Sequence, residues 1–136
     1  MYKRQTLTHT TIESKKLLAD SGGPGRWRGG LGQQVVMRND TGHPLITLGM
    51  GNRTMFPARG MFAGEAGTPR MHAIDGKPVH AKGRNELAPG QRMRIVEAGG
   101  GGFGDPKTRA PAAIAEDVAQ GYVSRQAARD IYGWSR

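Results

Sequence analysis

Apolar and polar residues alternate in several short stretches of this chain, and this pattern predicts half-buried strands. In the clearest stretch, Met93 and Ile95 alternate with Arg92 and Arg94, directly before a run of glycines. A Pro-Gly turn at residues 89–90 precedes this stretch. The sequence therefore predicts a strand that leads the chain into a glycine-rich loop.

The first half of the chain predicts three more extended segments. Residues 10–18 are expected to be extended, and residues 33–38 are expected to form a short strand around two central valines. Residues 39–42 carry turn-forming side chains, and the apolar residues 45–48 follow them. We therefore expect residues 33–38 and 45–48 to pair as a hairpin.

Residues 50–69 show neither the period of a helix nor that of a strand. The segment combines glycines and prolines with four large apolar side chains, Met55, Phe56, Met61 and Phe62. This composition favours an irregular but packed loop. Residues 73–79 carry an Asp-Gly pair at their centre and are expected to turn between two short extended arms.

The pattern changes near the end of the chain, where two short helices are predicted. Pro111 can occupy a first helical position and Gly121 can end the same helix, which is expected over residues 111–120. Ser124 can cap a second helix over residues 124–132, which carries an apolar stripe.

Together these patterns predict an α+β fold. A β-rich body of short strands with long glycine-rich loops is expected over residues 10–108, followed by a helical tail over residues 109–136. Leu, Ile, Val and Phe account for only 22 of the 136 residues, and glycine accounts for another 22. So few large apolar side chains form only a small core, and each ordered glycine loses more backbone entropy than any other residue. We therefore expect residues 1–136 to be a fragment of a larger fold.

The net charge is strongly positive, with 20 Lys and Arg against 11 Asp and Glu, or +9 at pH 7. The positive residues are spread singly and form no long run, so nucleic acid is not expected as a partner. The chain has no cysteine, which excludes disulfides and thiolate metal sites. It also lacks a long apolar segment and an apolar signal stretch, so no membrane contact is expected and the cytoplasm is the expected location.

Two glycine-rich segments, residues 21–32 and 99–106, are the most distinctive parts of the sequence. Glycine at this density predicts a backbone that turns sharply, approaches something closely or adopts positive φ. The second segment fits the G-x-G-x-x-G pattern of dinucleotide-binding loops. In those loops a helix opens directly after the pattern, whereas Asp105-Pro106 follows here, so dinucleotide binding is not expected.

The first glycine-rich segment also carries two arginines on either side of Trp27. Guanidinium groups beside glycine N–H donors could hold a carboxylate, a carbamate or a phosphate. Five residues are therefore candidates for binding a substrate or another anion: Arg26, Arg28, Gly101, Gly102 and Asp105. Two alternatives stay open. Trp27 can anchor the loop in a core or an interface while the arginines pair with acidic partners, and Asp105 can form a turn before Pro106.

The four histidines predict no metal site. They lie far apart along the chain, and none is at helical spacing from another candidate ligand. His72 and His80 flank the predicted turn at residues 75–76 and could meet across it, although exposed histidines near a turn commonly have no special role. Catalytic residues stay unassigned, because the chain has neither a cysteine nucleophile nor a G-x-S-x-G elbow.

Five blocks in order along the chain resemble the C-terminal part of the hydantoinase B/oxoprolinase family. They are residues 20–32 (DSGGPGRWRGGLG), 56–64 (FPARGMFAG), 87–91 (LAPGQ), 99–106 (GGGGFGDP) and 121–133 (GYVSRQAARDIYG). The family includes B subunits of N-methylhydantoinases, the C-terminal half of 5-oxoprolinases and the large subunits of acetone-type carboxylases. Its members are several times longer than this chain.

The resemblance implies that this chain is the C-terminal segment of an ATP-dependent cyclic-amide hydrolase of the hydantoinase or 5-oxoprolinase type, inactive alone. It implies two protein partners, the remainder of the B chain and a hydantoinase A-like subunit, and a small cyclic amide as substrate. ATP and Mg²⁺ are implied for the A component and a metal for the upstream part of the B chain, with no cofactor bound by this segment. The alternatives are a part of an acetone-type carboxylase and a non-catalytic assembly segment anchored by Trp27, Phe56, Phe62 and Trp134.

Overall fold

The computed structural model describes residues 4–5 and 10–135, and most of their regular structure is strand. Within these residues the strands are β1 (Arg4–Gln5), β2 (Thr10–Leu17), β3 (Gln33–Asn39), β4 (Leu45–Met50), β5 (Met71–Ile74), β6 (Lys77–Val79), β7 (Lys82–Leu87) and β8 (Arg92–Val96). A 3₁₀ turn, Pro106–Thr108, precedes the two helices, α1 (Pro111–Ala119) and α2 (Arg125–Asp130). The fold is α+β, as predicted.

Six strands form one antiparallel sheet in the order β1-β2-β3-β8-β5-β6, and β4 pairs with β7 in a separate two-stranded sheet. Both predicted glycine-rich segments leave the larger sheet at the same end. Leu18 N–H donates to the Gly32 carbonyl and Glu97 N–H donates to the Gln33 carbonyl, each at 2.8 Å. The order of the strands therefore brings together loops that are distant in sequence.

Most of the predicted strands are confirmed. In β8, Met93 and Val96 are buried while Arg92 and Arg94 are exposed. The segment 10–18 corresponds to β2 and the segment 33–38 to β3. The Asp-Gly turn joins β5 to β6 with φ values of 46° and 80°, the left-handed conformation that tight hairpin turns require.

The predicted hairpin between residues 33–38 and 45–48 is wrong. β2 and β8 occupy both edges of β3, and β4 pairs with β7 instead. Asn39, which is fully buried at the end of β3, explains the change of direction. Its side-chain amide donates to the Leu87 carbonyl at 2.8 Å and to the His43 carbonyl at 2.9 Å. These bonds fix the turn against the end of β7, and the chain leaves the larger sheet there.

Residues 50–69 are irregular, as predicted, but the expectation that their large side chains are packed inside is wrong. Met55, Phe56, Met61 and Phe62 are 81%, 78%, 60% and 73% exposed. The sequence pattern also does not predict β7. Most residues of this strand are polar or charged, and only Leu87 is buried, so no apolar alternation marks it.

Both helices lie within the predicted ranges. Pro111 is at the start of α1, and Gly121 follows it with φ of 71°, a left-handed end that suits glycine. Ser124 caps α2 by accepting the Ala127 N–H at 3.1 Å. The helical tail has its own small hydrophobic core, formed by Ile114, Val123, Ala128 and Tyr132.

Asp20 attaches this tail to the strand-rich body. Its N–H donates to the Tyr122 carbonyl at 3.0 Å, and its carboxylate accepts the Ser124 N–H at 2.8 Å. Asp20 has φ of 59°, which aspartate tolerates better than most residues. The tail therefore packs where the first glycine-rich segment begins.

Candidate functional site

Three glycine-rich segments lie side by side, and we call them the glycine bundle: residues 21–32, 58–68 and 99–104. Backbone hydrogen bonds join all three. Gly23 N–H donates to the Gly100 carbonyl at 2.8 Å, which links the first segment to the last. Glu65 N–H donates to the Pro24 carbonyl at 2.7 Å, which links the middle segment to the first.

Close contact between backbones explains why this bundle consists of glycine. A Cβ atom placed on Gly99 would lie 1.7 Å from the Ser21 carbonyl oxygen, and one placed on Gly102 would lie 2.0 Å from the Pro24 carbonyl oxygen. Neither glycine has positive φ, and in the last segment only Gly104 does, at 75°. The bare backbone that the sequence predicts is therefore required mainly by a neighbouring segment of the same chain.

The glycine bundle does not fit a nucleotide phosphate. Such a site needs N–H groups that point at the ligand, but Gly100 N–H donates to the Gly30 carbonyl and Gly102 N–H donates to the Glu65 carbonyl. Gly101 is also closely packed, because a Cβ added there would lie 2.0 Å from the Arg59 carbonyl oxygen. The two candidate glycines, Gly101 and Gly102, thus lie where they hold the three segments together.

Arg28 belongs to a buried cluster of three charges, the ion cluster, with Asp117 of α1 and Arg109. The Nε and Nη2 of Arg28 donate to the two carboxylate oxygens of Asp117 at 3.1 and 3.2 Å. Arg109 Nη2 donates to the same carboxylate at 2.7 Å. The side chains of Arg28, Arg109 and Asp117 are only 16%, 11% and 8% exposed. Arg28 therefore pairs with an acidic partner, one of the alternatives that the sequence leaves open.

Arg26 and Asp105 lie at the same end of the glycine bundle. Arg26 N–H donates to the Gly104 carbonyl at 3.1 Å. The Asp105 carboxylate accepts the Lys107 N–H at 2.9 Å and caps the 3₁₀ turn, so it has the turn-forming role that the sequence offers as an alternative. Both residues are exposed, and a ligand could reach their side chains from solvent.

An exposed set of large side chains lies along the glycine bundle, and we call it the apolar face: Trp27, Met61, Phe62 and Phe103. Trp27 and Phe103 exchange two backbone hydrogen bonds of 2.9 Å. The rings of Phe62 and Phe103 lie 4.9 Å apart between centroids, tilted by 55°. Trp27 is 65% exposed and Phe103 is 46% exposed. Contiguous exposed aromatic groups of this kind mark a surface for interaction.

The backbone that presents Phe62 is strained. Phe62 and Ala63 have φ values of 50° and 67°, in the left-handed region that residues with side chains rarely occupy. The Gly64 N–H donates to the Met61 carbonyl at 2.9 Å and closes this turn. Strain of about 1–3 kcal/mol per residue persists where the surrounding structure imposes it, often at functional surfaces.

His72 is buried, whereas the sequence suggests an exposed histidine beside a turn. Across the β5–β6 hairpin it pairs with Val79, and the exposed His80 is the next residue along the chain. The ring nitrogens of His72 have no hydrogen-bond partner. Burial, and secondly the nearby Arg70 guanidinium, lower the pKa of His72. Among the described residues, no group of three or more His, Asp and Glu side chains is placed to bind a metal ion.

Comparisons with known proteins identify the family. The family model described as hydantoinase B/oxoprolinase matches residues 7–106. Caprolactamase subunit beta of Pseudomonas jessenii is 34% identical over 135 residues, covering 90% of this chain and 22% of that protein. An uncharacterized protein of Methanocaldococcus jannaschii is 34% identical over 122 residues, covering 85% of this chain and 21% of that protein. The chain belongs to the hydantoinase B/oxoprolinase family.

Two solved structures contain a similar fold. The ATP-dependent caprolactamase of Pseudomonas jessenii matches with a TM-score of 0.74 and 31% identity, covering 91% of this chain and 23% of that one. Nucleotide-free acetone carboxylase matches with a TM-score of 0.73 and 22% identity, covering 91% of this chain and 21% of that one. This chain thus spans about a fifth of the length of these relatives, and its α+β fold matches a part of their larger folds. No helix of the residues described here is long and apolar enough to cross a bilayer.

Proposed function

We propose that this chain is the C-terminal segment of an ATP-dependent hydrolase that opens cyclic amides. The observation that supports this most is the 34% identity to caprolactamase subunit beta over 135 residues. Identity to acetone carboxylase is lower, at 22%, so ring opening is favoured over carboxylation of a ketone. The related caprolactamase is described as ATP-dependent, which supports coupling of the reaction to ATP.

Within this assembly the chain is inactive alone, and its exposed Arg26 and Asp105 side chains contribute to the substrate site. The N–H groups of Gly100 and Gly102 donate within the glycine bundle and Arg28 is held in the ion cluster, so these groups are not free to react. The proposed partners are the remainder of a B-type chain and a hydantoinase A-like subunit. ATP and Mg²⁺ are assigned to the A-like subunit, as the family resemblance implies. The proposed location of the assembly is the cytoplasm.

The experiment is a substrate panel with the assembled enzyme, obtained by co-expressing this chain with the upstream B portion and an A-like subunit. We expect ATP-dependent release of the ring-opened amino acid from a lactam, a hydantoin or 5-oxoproline. Acetone with bicarbonate should give no ATP-dependent product. Carboxylation of acetone without any ring opening would contradict the proposal and favour the carboxylase branch.

A second candidate function is a purely structural assembly segment, and the apolar face supports it. Of the four proposed anchors, Trp27, Phe56 and Phe62 are 65%, 78% and 73% exposed, as an anchor should be before docking. Trp134 instead packs against the core of the helical tail. In this function the aromatic side chains are required for assembly, and the exposed polar groups are not required.

Two variants of adjacent residues distinguish these functions. Arg26→Gln removes an exposed guanidinium, and Trp27→Ser removes the neighbouring indole from the apolar face. Loss of turnover in Arg26→Gln with intact assembly supports a site that includes Arg26 and Asp105, whereas loss of assembly in Trp27→Ser alone supports the structural function. Arg125→Gln, an exposed arginine on α2, is the matched control. Arg28 is unsuitable for this test because its replacement would break the ion cluster.

A further inference from the structure

Strand β4 of the two-stranded sheet turns apolar side chains to solvent. Burial alternates along this strand, and its three exposed positions are Ile46, Leu48 and Met50, at 54%, 76% and 89%. We call these three residues the outward column. In a strand with one solvated face, polar side chains normally occupy the exposed positions. The reversed pattern in β4 therefore marks a face that is available to a partner.

The backbone of the outward column also has no partner strand. Gly51, which directly follows β4, donates its N–H to the Ala81 carbonyl at 3.3 Å in the register of the β4–β7 pair. Hydrogen-bonded pairs alternate along an antiparallel ladder, so Thr47 bonds to β7 while the N–H and carbonyl groups of the outward column point away from it. Within the part of the chain that the structure describes, these N–H groups donate to no other segment.

Two other strands at sheet edges carry features that discourage a further strand, and β4 does not. Lys82, Arg84 and Glu86 interrupt β7, and Pro78 lies in the three-residue strand β6. Charged side chains and proline protect the edges of sheets. The six residues of β4, LITLGM, include neither. A sheet of only two strands is marginally stable until another element packs on it, so the edge of β4 is suited to receive a third strand.

The charged side chains of β7 favour an acidic partner. Lys82, Arg84 and Glu86 lie directly opposite the three residues of the outward column and are exposed, so they project from the same face. None of the three forms an ion pair with another described residue. The face thus carries one excess positive charge. A second copy of this chain, which has the same face and a net charge of +9, fits it less well than an acidic segment does.

We propose that β4 receives a strand from the remainder of the B-type chain, an extended segment with apolar side chains at alternate positions and an Asp or Glu beside them. Its backbone bonds to the N–H and carbonyl groups of the outward column, and its apolar side chains pack beside Leu48. This chain covers only 22% of caprolactamase subunit beta, where the matching part and the remainder belong to one polypeptide and meet at high effective concentration. The inference rests on the proposed function only in naming this partner.

Amide hydrogen exchange, followed by NMR in the ¹⁵N-labelled full chain, tests the addition of a strand directly. In the chain alone, the amides of the outward column should exchange fast, whereas the amide of Thr47 should be protected by β7. Addition of the unlabelled upstream B portion should slow exchange of the outward column at least about tenfold. The alternation of protection along β4 then disappears, which a helix packed on the side chains alone would not produce.

Substitutions on the exposed face give a second readout. Leu48→Thr keeps a strand-forming residue and removes apolar surface, so it should weaken binding of the upstream B portion about tenfold in calorimetry and leave the urea midpoint of the chain alone unchanged. Leu17→Thr, at an exposed leucine of β2, is the matched control and should change neither value. Replacing both Lys82 and Arg84 by Gln should weaken binding about two- to fivefold.

Four results would overturn the proposal. They are no binding of the upstream B portion, a complex in which the outward column stays unprotected, equal effects of Leu48→Thr and Leu17→Thr, and protection produced by the A-like subunit alone or by a second copy as the chain is concentrated. None of these readouts involves turnover. Protection of the outward column without ring opening would refute the proposed function and leave this interface standing, and ring opening without protection would do the reverse.

Discussion

At the residue scale, the contacts of individual atoms decide which substitutions the glycine bundle accepts. The sequence predicts that the backbone near residues 99–102 must stay bare, and the structure confirms this requirement. The partner of each glycine could not be predicted, because Gly102 meets Pro24 and Gly99 meets Ser21, residues that are distant in sequence. Asp117 and Arg109 were missed for a similar reason, since no local motif marks them and their partner Arg28 lies on another segment.

Gly102→Ala should destabilise the protein strongly, and Gly30→Ala should not. The new Cβ at residue 102 would lie 2.0 Å from a carbonyl oxygen of Pro24, whereas nothing lies within 4 Å of a Cβ at residue 30. We expect Gly102→Ala to lower the free energy of unfolding by about 3 kcal/mol. Gly30→Ala should change it by less than about 1 kcal/mol. Urea unfolding of the purified protein measures both values, and equal midpoints for the two variants would contradict this account.

Asp117→Asn should cost more stability than an isosteric change at a surface carboxylate. It leaves Arg28 and Arg109 buried without a counter-charge, which we expect to cost about 3 kcal/mol. Glu116→Gln, one residue away on the exposed side of α1, should stay within about 0.5 kcal/mol of the parent. Thermal unfolding is the measurement. A loss no larger for Asp117→Asn than for Glu116→Gln would show that the ion cluster does not stabilise the fold.

His72 should make the stability depend on pH on the acidic side of neutrality. Its pKa in the folded protein lies below the ordinary value of 6.5, so below about pH 6.5 the unfolded chain binds a proton that the folded chain resists. The free energy of unfolding should therefore fall as the pH is lowered from 7 towards 5. His72→Gln should reduce this slope, whereas His43→Gln, at an exposed position, should retain it. Unfolding curves at several pH values test this, and an unchanged slope in His72→Gln would refute it.

At the element scale, local patterns predicted the strands and helices better than their pairing. Apolar and polar residues alternate in β8, turn residues mark the β5–β6 hairpin, and a serine caps α2, so the sequence predicts each of these elements. The pairing of β4 with β7 could not be predicted from the sequence pattern. It depends on the buried amide of Asn39, whose bonds to distant carbonyls are a tertiary effect. The composition of residues 50–69 favours a packed loop because no sequence signal distinguishes large apolar side chains that form a core from those that form an exposed surface.

Ser124→Ala should weaken the helical tail by about 1 kcal/mol, because the hydroxyl accepts the Ala127 N–H at the start of α2. Ser135→Ala, at an exposed position, is the control and should have almost no effect. Chemical denaturation followed by Trp134 fluorescence in a Trp27→Phe background reports on the tail. Equal midpoints for these two serine variants would mean that the cap contributes nothing.

At the scale of the whole molecule, the small core and the exposed apolar face both indicate that this chain is part of a larger fold. The chain spans only about a fifth of its relatives, and Trp27 and Phe62 are more than half exposed. Low apolar content in the sequence predicted a fragment of a larger fold, and the family and the order of its motifs were also predictable. The apolar face could not be predicted, because its side chains come from three separate segments.

ATP-coupled ring opening by the assembled enzyme tests the central claim most directly. Amino acid released from a lactam and ATP hydrolysed are measured together, in assemblies that contain this chain, lack it, or receive it as a separate polypeptide. We predict that turnover disappears without the chain and returns when the chain is added back. Undiminished ring opening by the assembly that lacks these residues would contradict the account.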